Sequence, residues 1–140
     1  MRIMAIDYGD AHTGVAISDP TGLLAGCTAT IDAYTPEKVI AGLAPLIAQY
    51  GVERLVLGCP KNMDGSEGPR AEKSRAFKAL LEQETGLPVV LWDERRTTID
   101  AHHILYHAGK NAKKRKKCVD AVAASLILEG YLTWLRSGGV

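Results

Sequence analysis

The chain has few of the features that would place it outside the cell or in a membrane. Its three cysteines, Cys27, Cys59 and Cys118, are scattered and form no Cys-x-x-Cys pair. That argues against a disulfide scaffold or a zinc–thiolate site and suits a reducing, cytoplasmic compartment. No apolar run approaches the roughly 20 residues that span a bilayer. Met1 to Asp7 contains no long apolar stretch and runs directly into what reads as a strand, so no signal peptide is expected. Repeats and domain linkers are also missing. A length of 140 residues then points to a single domain, residues 1–140, large enough for a real core.

A net charge is nearly missing too, at +1, but the balance is uneven along the chain. Residues 61–117 hold 13 Lys/Arg and 8 Asp/Glu, whereas the rest holds 4 Lys/Arg and 8 Asp/Glu. The densest part is Lys110 to Lys117, with six basic residues in eight. Self-repulsion argues for a loop here in the absence of an anionic partner. A solvated loop and a polyanion-binding loop are both compatible with the run alone, and its place just before Asp120 favours the second.

Apolar periodicity gives the order β-β-β-α-β-α-β-α-α. Arg2 to Ile6, Thr13 to Ser18 and Leu24 to Ile31 read as strands of an antiparallel meander, with a turn at Tyr8-Gly9-Asp10 where Gly9 can take φ > 0. Thr35-Pro36 opens a helix with Thr as N-cap and Pro in the first position. Val39, Leu43 and Ile47 form one face of it, and Gly51 ends it. Arg54 to Leu57 and Pro88 to Trp92 are near-continuously apolar, as parallel strands covered on both faces are. Between them lies a helix capped by Ser66, with Pro69 in its first turn, running to Gly86. Thr97 to His107 reads as a helix, the basic run as a loop, and Val119 to Leu135 as the last helix, with Ala121, Ala124, Leu128, Tyr131, Leu132 and Leu135 inward. Trp92 and Trp134 read as core, and Cys59 as a buried small hydrophobe.

Three acidic residues stand where apolar elements meet loops or helix starts. Asp7 follows Ile3-Met4-Ala5-Ile6, Glu94 follows Val89-Val90-Leu91-Trp92-Asp93, and Asp120 opens Ala121-Val122-Ala123-Ala124. Carboxylates in such places are costly to desolvate unless something compensates them. If they converge, they make an all-oxygen Mg²⁺ or Mn²⁺ site of the kind that hydrolyses phosphodiesters. Asp93 and Glu94 are alternatives, because neighbouring strand residues face opposite ways and only one can serve. Asp64 or Glu67 is the runner-up for the middle position.

The surrounding motifs fit an anionic substrate. Asp7-x-Gly9 with Gly14 puts a carboxylate at a strand tip, with glycines that let a backbone or a phosphate approach. A self-bonded turn Asp would also explain it. Gly58 to Glu72 combines a turn with a helix start whose free N–H groups favour anions. Lys61, Asn62, Ser66, Arg70 and Lys73 lie in or beside it, Arg95 and Arg96 follow Glu94, and Lys113, Lys114, Arg115, Lys116 and Lys117 supply the basic run. These are the candidate nucleic-acid contacts. His103 and His107 are one turn apart but have no third ligand at a convincing spacing, so they read as structural.

Asn62-Met63-Asp64-Gly65-Ser66-Glu67-Gly68-Pro69-Arg70, Asp93-Glu94-Arg95, Asp120 to Ala124, and Asp7-Tyr8-Gly9 through Asp19 together resemble the YqgF/RuvX family of Holliday-junction-resolvase-like nucleases. The resemblance runs through nearly the whole chain. It implies an RNase H-like α/β fold: a mixed five-stranded sheet, with a three-strand antiparallel meander plus two parallel strands, flanked by helices. It also implies catalytic and metal-binding roles for Asp7, Glu94 and Asp120, and a part in maturing the 5′ end of pre-16S rRNA. The chain departs from the family pattern at Ala11-His12, where a basic pair is usual, and at Lys61 and Arg96, where apolar residues are common.

The expected function is metal-dependent endonucleolytic cleavage by a monomer or weak homodimer acting on nucleic acid, without a membrane. Structured RNA, including ribosomal precursor particles, is favoured over DNA through the resemblance. The alternatives are Holliday-junction resolution on branched DNA and a catalytically silent nucleic-acid-binding module. An actin-like ATP-handling protein is disfavoured, because that fold needs two related domains.

Overall fold

A computed structural model describes residues 1–19, 25–59, 68–93 and 112–138; of residues 25–26 and 112–121 it describes the backbone only. The described strands are β1 (Arg2–Asp7), β2 (His12–Ser18), β3 (Ala25–Asp32), β4 (Val52–Cys59) and β5 (Val89–Asp93). The helices are α1 (Pro36–Tyr50), α2 (Pro69–Thr85) and α3 (Ala112–Arg136). The strands form one five-stranded sheet in the order β3-β2-β1-β4-β5. β1 pairs with β2, and β2 with β3, in antiparallel fashion. β1 with β4 and β4 with β5 are parallel. This is the expected mixed sheet, with the first strand at its centre.

The alternation of β1 decides what lies on each side. Met4 and Ile6 join Val15, Ile17, Leu55 and Leu57 in a core covered by Val39 and Leu43 of α1 and Phe77 and Leu81 of α2. Ile3 and Ala5 join Ala16, Val56 and Trp92 in a second core, covered by Ala124, Ile127, Leu128, Tyr131 and Leu132 of α3. The second face is built from smaller side chains: Ala5 is level with Ala16 on one side and Val56 on the other. Small residues let a helix backbone come close to the sheet. Towards β5 the gap is filled by aromatic rings, Trp92 meeting Tyr131 edge-on at 5.9 Å and Trp134 at 6.3 Å. Arg54 Nη1 of β4 donates to the Tyr131 hydroxyl at 2.9 Å, tying α3 to the sheet.

Local sequence signals explain most element ends. The Thr35 hydroxyl accepts from the Lys38 amide, Pro36 occupies the first turn, and Gly51 closes α1 at φ 63°. Gly86 closes α2 at φ 70°. Gly9 departs from expectation: it is not among the glycines with positive φ. It is required because a Cβ there would stand 2.2 Å from the His12 carbonyl oxygen, so the hairpin can close only around a bare backbone.

Two further expectations are corrected. The N-cap of α2 is Gly68, with no side-chain cap bond, rather than Ser66. The basic run is also not a loop throughout, because α3 begins at Ala112 and Lys113 to Lys117 are helical in backbone. Ala, Lys and Arg are strong helix formers. Extending a helix already anchored by a buried stripe needs only propagation, and like-charge neighbours cost only a few tenths of a kcal/mol each. Ser66 and the expected helix over Thr97 to His107 lie outside the described residues.

Candidate active site

Asp7 is the last residue of the central strand, and its alternation with Ile3 and Ala5 puts it on the face crossed by α3. Its partner across the β1–β2 ladder is Gly14. On the other side, β4 continues from Leu57, level with Ile6, to Gly58, which pairs in turn with Trp92. Asp7 therefore stands between two residues without side chains. The sheet surface on both sides of the carboxylate is left low.

The same face carries a polar group beyond Gly14. Gly14 pairs with Thr30, and two residues further along β2 His12 pairs with Asp32. The imidazole Nδ1 of His12 and Asp32 Oδ1 are 2.7 Å apart. Nδ1 is therefore committed to the carboxylate, which turns Nε2 of this part-exposed ring away from Asp32. In the sequence His12 stands out only as a departure from the family pattern. That His12 shares the face of Gly14 follows from alternation along β2, but Asp32 is 20 residues away, and no local motif joins them.

The other candidate ligands are placed in part. Asp93, the last residue of β5, pairs with Cys59 and alternates with Val89 and Leu91, which belong to the core under α1 and α2. Asp93 therefore falls on the opposite face from Asp7. Glu94 lies outside the described residues, as do Asp64 and Glu67. Asp120 lies in α3, one helical turn before the buried Ala124. Among the described residues no cluster of three His, Cys, Asp or Glu side chains could hold a metal. Asp7 presents a carboxylate between two glycine positions, and its donor chemistry fits a hard divalent cation.

Of the candidate nucleic-acid contacts, Arg70 and Lys73 are exposed on α2, on the other side of the sheet from Asp7. Lys73 Nζ reaches the hairpin tip and donates to Asp10 Oδ1 at 3.4 Å. Lys113, Lys114, Arg115, Lys116 and Lys117 occupy the first turns of α3. Lys61, Asn62, Ser66, Arg95 and Arg96 lie outside the described residues, as do His103 and His107. Cys59 is buried as expected.

A central strand ending in a carboxylate, a meander on one side and parallel strands on the other define an RNase H-like fold. Solved structures agree. A RuvC from Thermus thermophilus in complex with Holliday junction substrate superimposes with a TM-score of 0.63 at 14% identity, covering 99% of this chain and 96% of that one. A Fowlpox virus resolvase with Holliday junction DNA gives 0.59 at 15% identity, covering 96% and 99%. At such identities the likeness is one of fold. The model of the family described as "RuvX: Holliday junction resolvase" matches residues 1–134, and the chain belongs to that family of nucleases. A protein from Halothermothrix orenii, named "Putative pre-16S rRNA nuclease", is 49% identical over 134 residues, 96% of each chain. One of the same name from Moorella thermoacetica is 46% identical over 140 residues, the full length of both.

Proposed function

We propose that this chain is a single-domain, metal-dependent endonuclease that cuts pre-16S rRNA near its 5′ end. The observation that carries the reading is the position of Asp7: the tip of the central strand, between Gly14 and Gly58, on the face that α3 crosses. Two further carboxylates complete the proposed set. Strand alternation sends Asp93 to the opposite face, so the next position, Glu94, is the better choice for the middle ligand. Position 120 precedes Ala124 by one turn, on the row of α3 that meets the sheet. Asp7, Glu94 and Asp120 would hold Mg²⁺ or Mn²⁺. When bound, the cation supplies Lewis acidity and an activated water for phosphodiester hydrolysis.

The chain's own groups supply binding and orientation. Asp32 holds the His12 ring so that Nε2 can meet a phosphate oxygen one step along the strand from Asp7. Lys113 to Lys117, with Arg95 and Arg96, bind backbone phosphates without reading sequence. The protein acts in the cytoplasm as a monomer or weak homodimer, on ribosomal precursor particles. No helix among the described residues is long and apolar enough to cross a membrane.

The likeness to resolvases with bound junctions supports a second reading, resolution of branched DNA. Such a substrate has two-fold character and calls for a dimer. The test compares cleavage of a pre-16S leader RNA and a four-way DNA junction, with and without Mn²⁺, with Asp7→Asn as control. Cleavage of the leader alone supports the first reading, and cleavage of the junction alone the second. Metal-dependent cleavage of neither would leave a silent binding module.

A further inference from the structure

A cavity of about 390 Å³ opens on the other side of the β1–β2 hairpin from Asp7. Tyr8, Asp10, Tyr34, Lys73 and Phe77 contribute to its lining. Tyr8 immediately follows Asp7 and joins the opposite core, its ring stacked on Phe77 with centroids 4.0 Å apart and planes 6° from parallel. Tyr34, in contrast, is 80% exposed, so its ring face at the cavity is open to a partner. Both places adjoin the β1–β2 hairpin: Asp7 ends β1, and Tyr8 and Asp10 of the turn line the cavity. The cation Lys73 is 63% exposed, and among the described residues it meets the exposed Asp10 carboxylate, at 3.4 Å.

The geometry points to a nucleotide-binding subsite: an unpaired base of the substrate strand, flanking the cleavage point, stacks on Tyr34 inside this cavity while its phosphate meets Lys73. The occupant follows from the chemistry. Aromatic faces accept any base, an Asp carboxylate accepts hydrogen bonds from exocyclic amino groups, and a lysine at the rim suits the backbone. A strand lying at Asp7 reaches the cavity by crossing the bare hairpin tip. The subsite rests on the reading of Asp7 as the cleavage point. It makes the enzyme select single-stranded flanks over continuous duplex.

Binding is measured by fluorescence anisotropy in chelator-containing buffer, where no cleavage interferes. The Asp7→Asn, Tyr34→Ala, Tyr34→Phe and Lys73→Ala proteins are compared on a single-stranded RNA and a blunt RNA duplex. A second single strand carries 2-aminopurine at successive positions. Tyr34→Ala should weaken single-strand binding by about 5- to 100-fold and leave duplex binding unchanged, as loss of one stacked base requires. Tyr34→Phe should bind like wild type. Lys73→Ala should flatten the slope of log K against log salt by about 0.7. 2-Aminopurine at one flanking position should be quenched by wild type and Tyr34→Phe but not by Tyr34→Ala. The proposal is overturned if Tyr34→Ala changes neither substrate or both equally. It is also overturned if a free mononucleotide binds as tightly as the strand. Asp7-dependent cleavage in Mn²⁺ is scored separately, so a failure of the nuclease reading shows there and leaves the stacking measurement to stand or fall alone.

Discussion

The two faces of the sheet are made from the same strands, yet they do different work. Under α1 and α2 the strands present Met4, Ile6, Val15, Ile17, Leu55 and Leu57, all buried and large or branched, and that face holds most of the apolar packing. Under α3 they present Ala5, Ala16 and Val56, and then, towards the ends of β1 and β2, Asp7, Gly14 and His12. One face is optimised to exclude water. The other gives up side-chain volume so that a helix can lie close and the strand ends stay open. Stability and the proposed chemistry would thus be separated by alternation within a single strand: Ile6 belongs to one and Asp7 to the other.

The largest test of this division is Asp7→Asn. Cleavage should fall by more than about 100-fold, beyond the cost of losing an outer-shell partner of a metal site. Thermal stability without metal should hold or rise slightly, because a charge is removed from the proposed set of carboxylates. A protein strongly destabilised by this change would mark Asp7 as a structural turn residue instead. On the opposite face, Leu57→Ala should cost about 2–5 kcal/mol in urea unfolding, as for other buried leucines. The refolded fraction should keep its turnover. Equal losses of activity per folded molecule in both variants would show that the faces are not separable.

The small-residue row makes the reverse prediction. Ala16→Leu adds volume where α3 sits close and should cost about 1–3 kcal/mol through overpacking, so adding methylenes would harm this face as removing them harms the other. A neutral or stabilising result, read from the same urea curves, would mean that α3 has room to move away. The smallest effect per side chain is expected from neutralising Lys113, Lys114, Arg115, Lys116 and Lys117. Each real phosphate contact contributes about 0.7–0.9 to the slope of log K against log salt. Binding should weaken on every sequence and the slope should flatten, with residual turnover at low salt. An unchanged slope would leave the run as a solvated first stretch of α3.

Much of the fold was legible because its signals are local. Thr35-Pro36 and Gly51 bracket α1 as capping chemistry requires, and the unbroken apolar runs of β4 and β5 announced strands covered on both sides. Other features were misread for equally physical reasons. Lys110 to Lys117 looked like a loop because charge repulsion is visible in a sequence, whereas the anchoring of α3 by Ala124 to Leu132 comes from packing elsewhere. Ser66 looked like a cap because its side chain could serve, yet the N-cap of α2 is Gly68.

The candidate site divides in the same way. Asp7 was identifiable from a carboxylate ending an apolar strand. That Gly14 and Gly58 flank it could not be read, because strand register and strand order set it. Asp93 and Glu94 were equivalent by composition, and only the pairing of β5 with β4 assigns Asp93 to the far side. The sequence by itself determined the strands, the helices and the residues with useful chemistry, because periodicity, caps and apolar ends depend on near neighbours. Only the tertiary structure decided which of them meet: His12 with Asp32 across 20 residues, Tyr8 with Phe77, and Arg54 with Tyr131 across 77. Those meetings depend on sheet order and on which face each helix covers, and burial of the whole apolar surface fixes both at once.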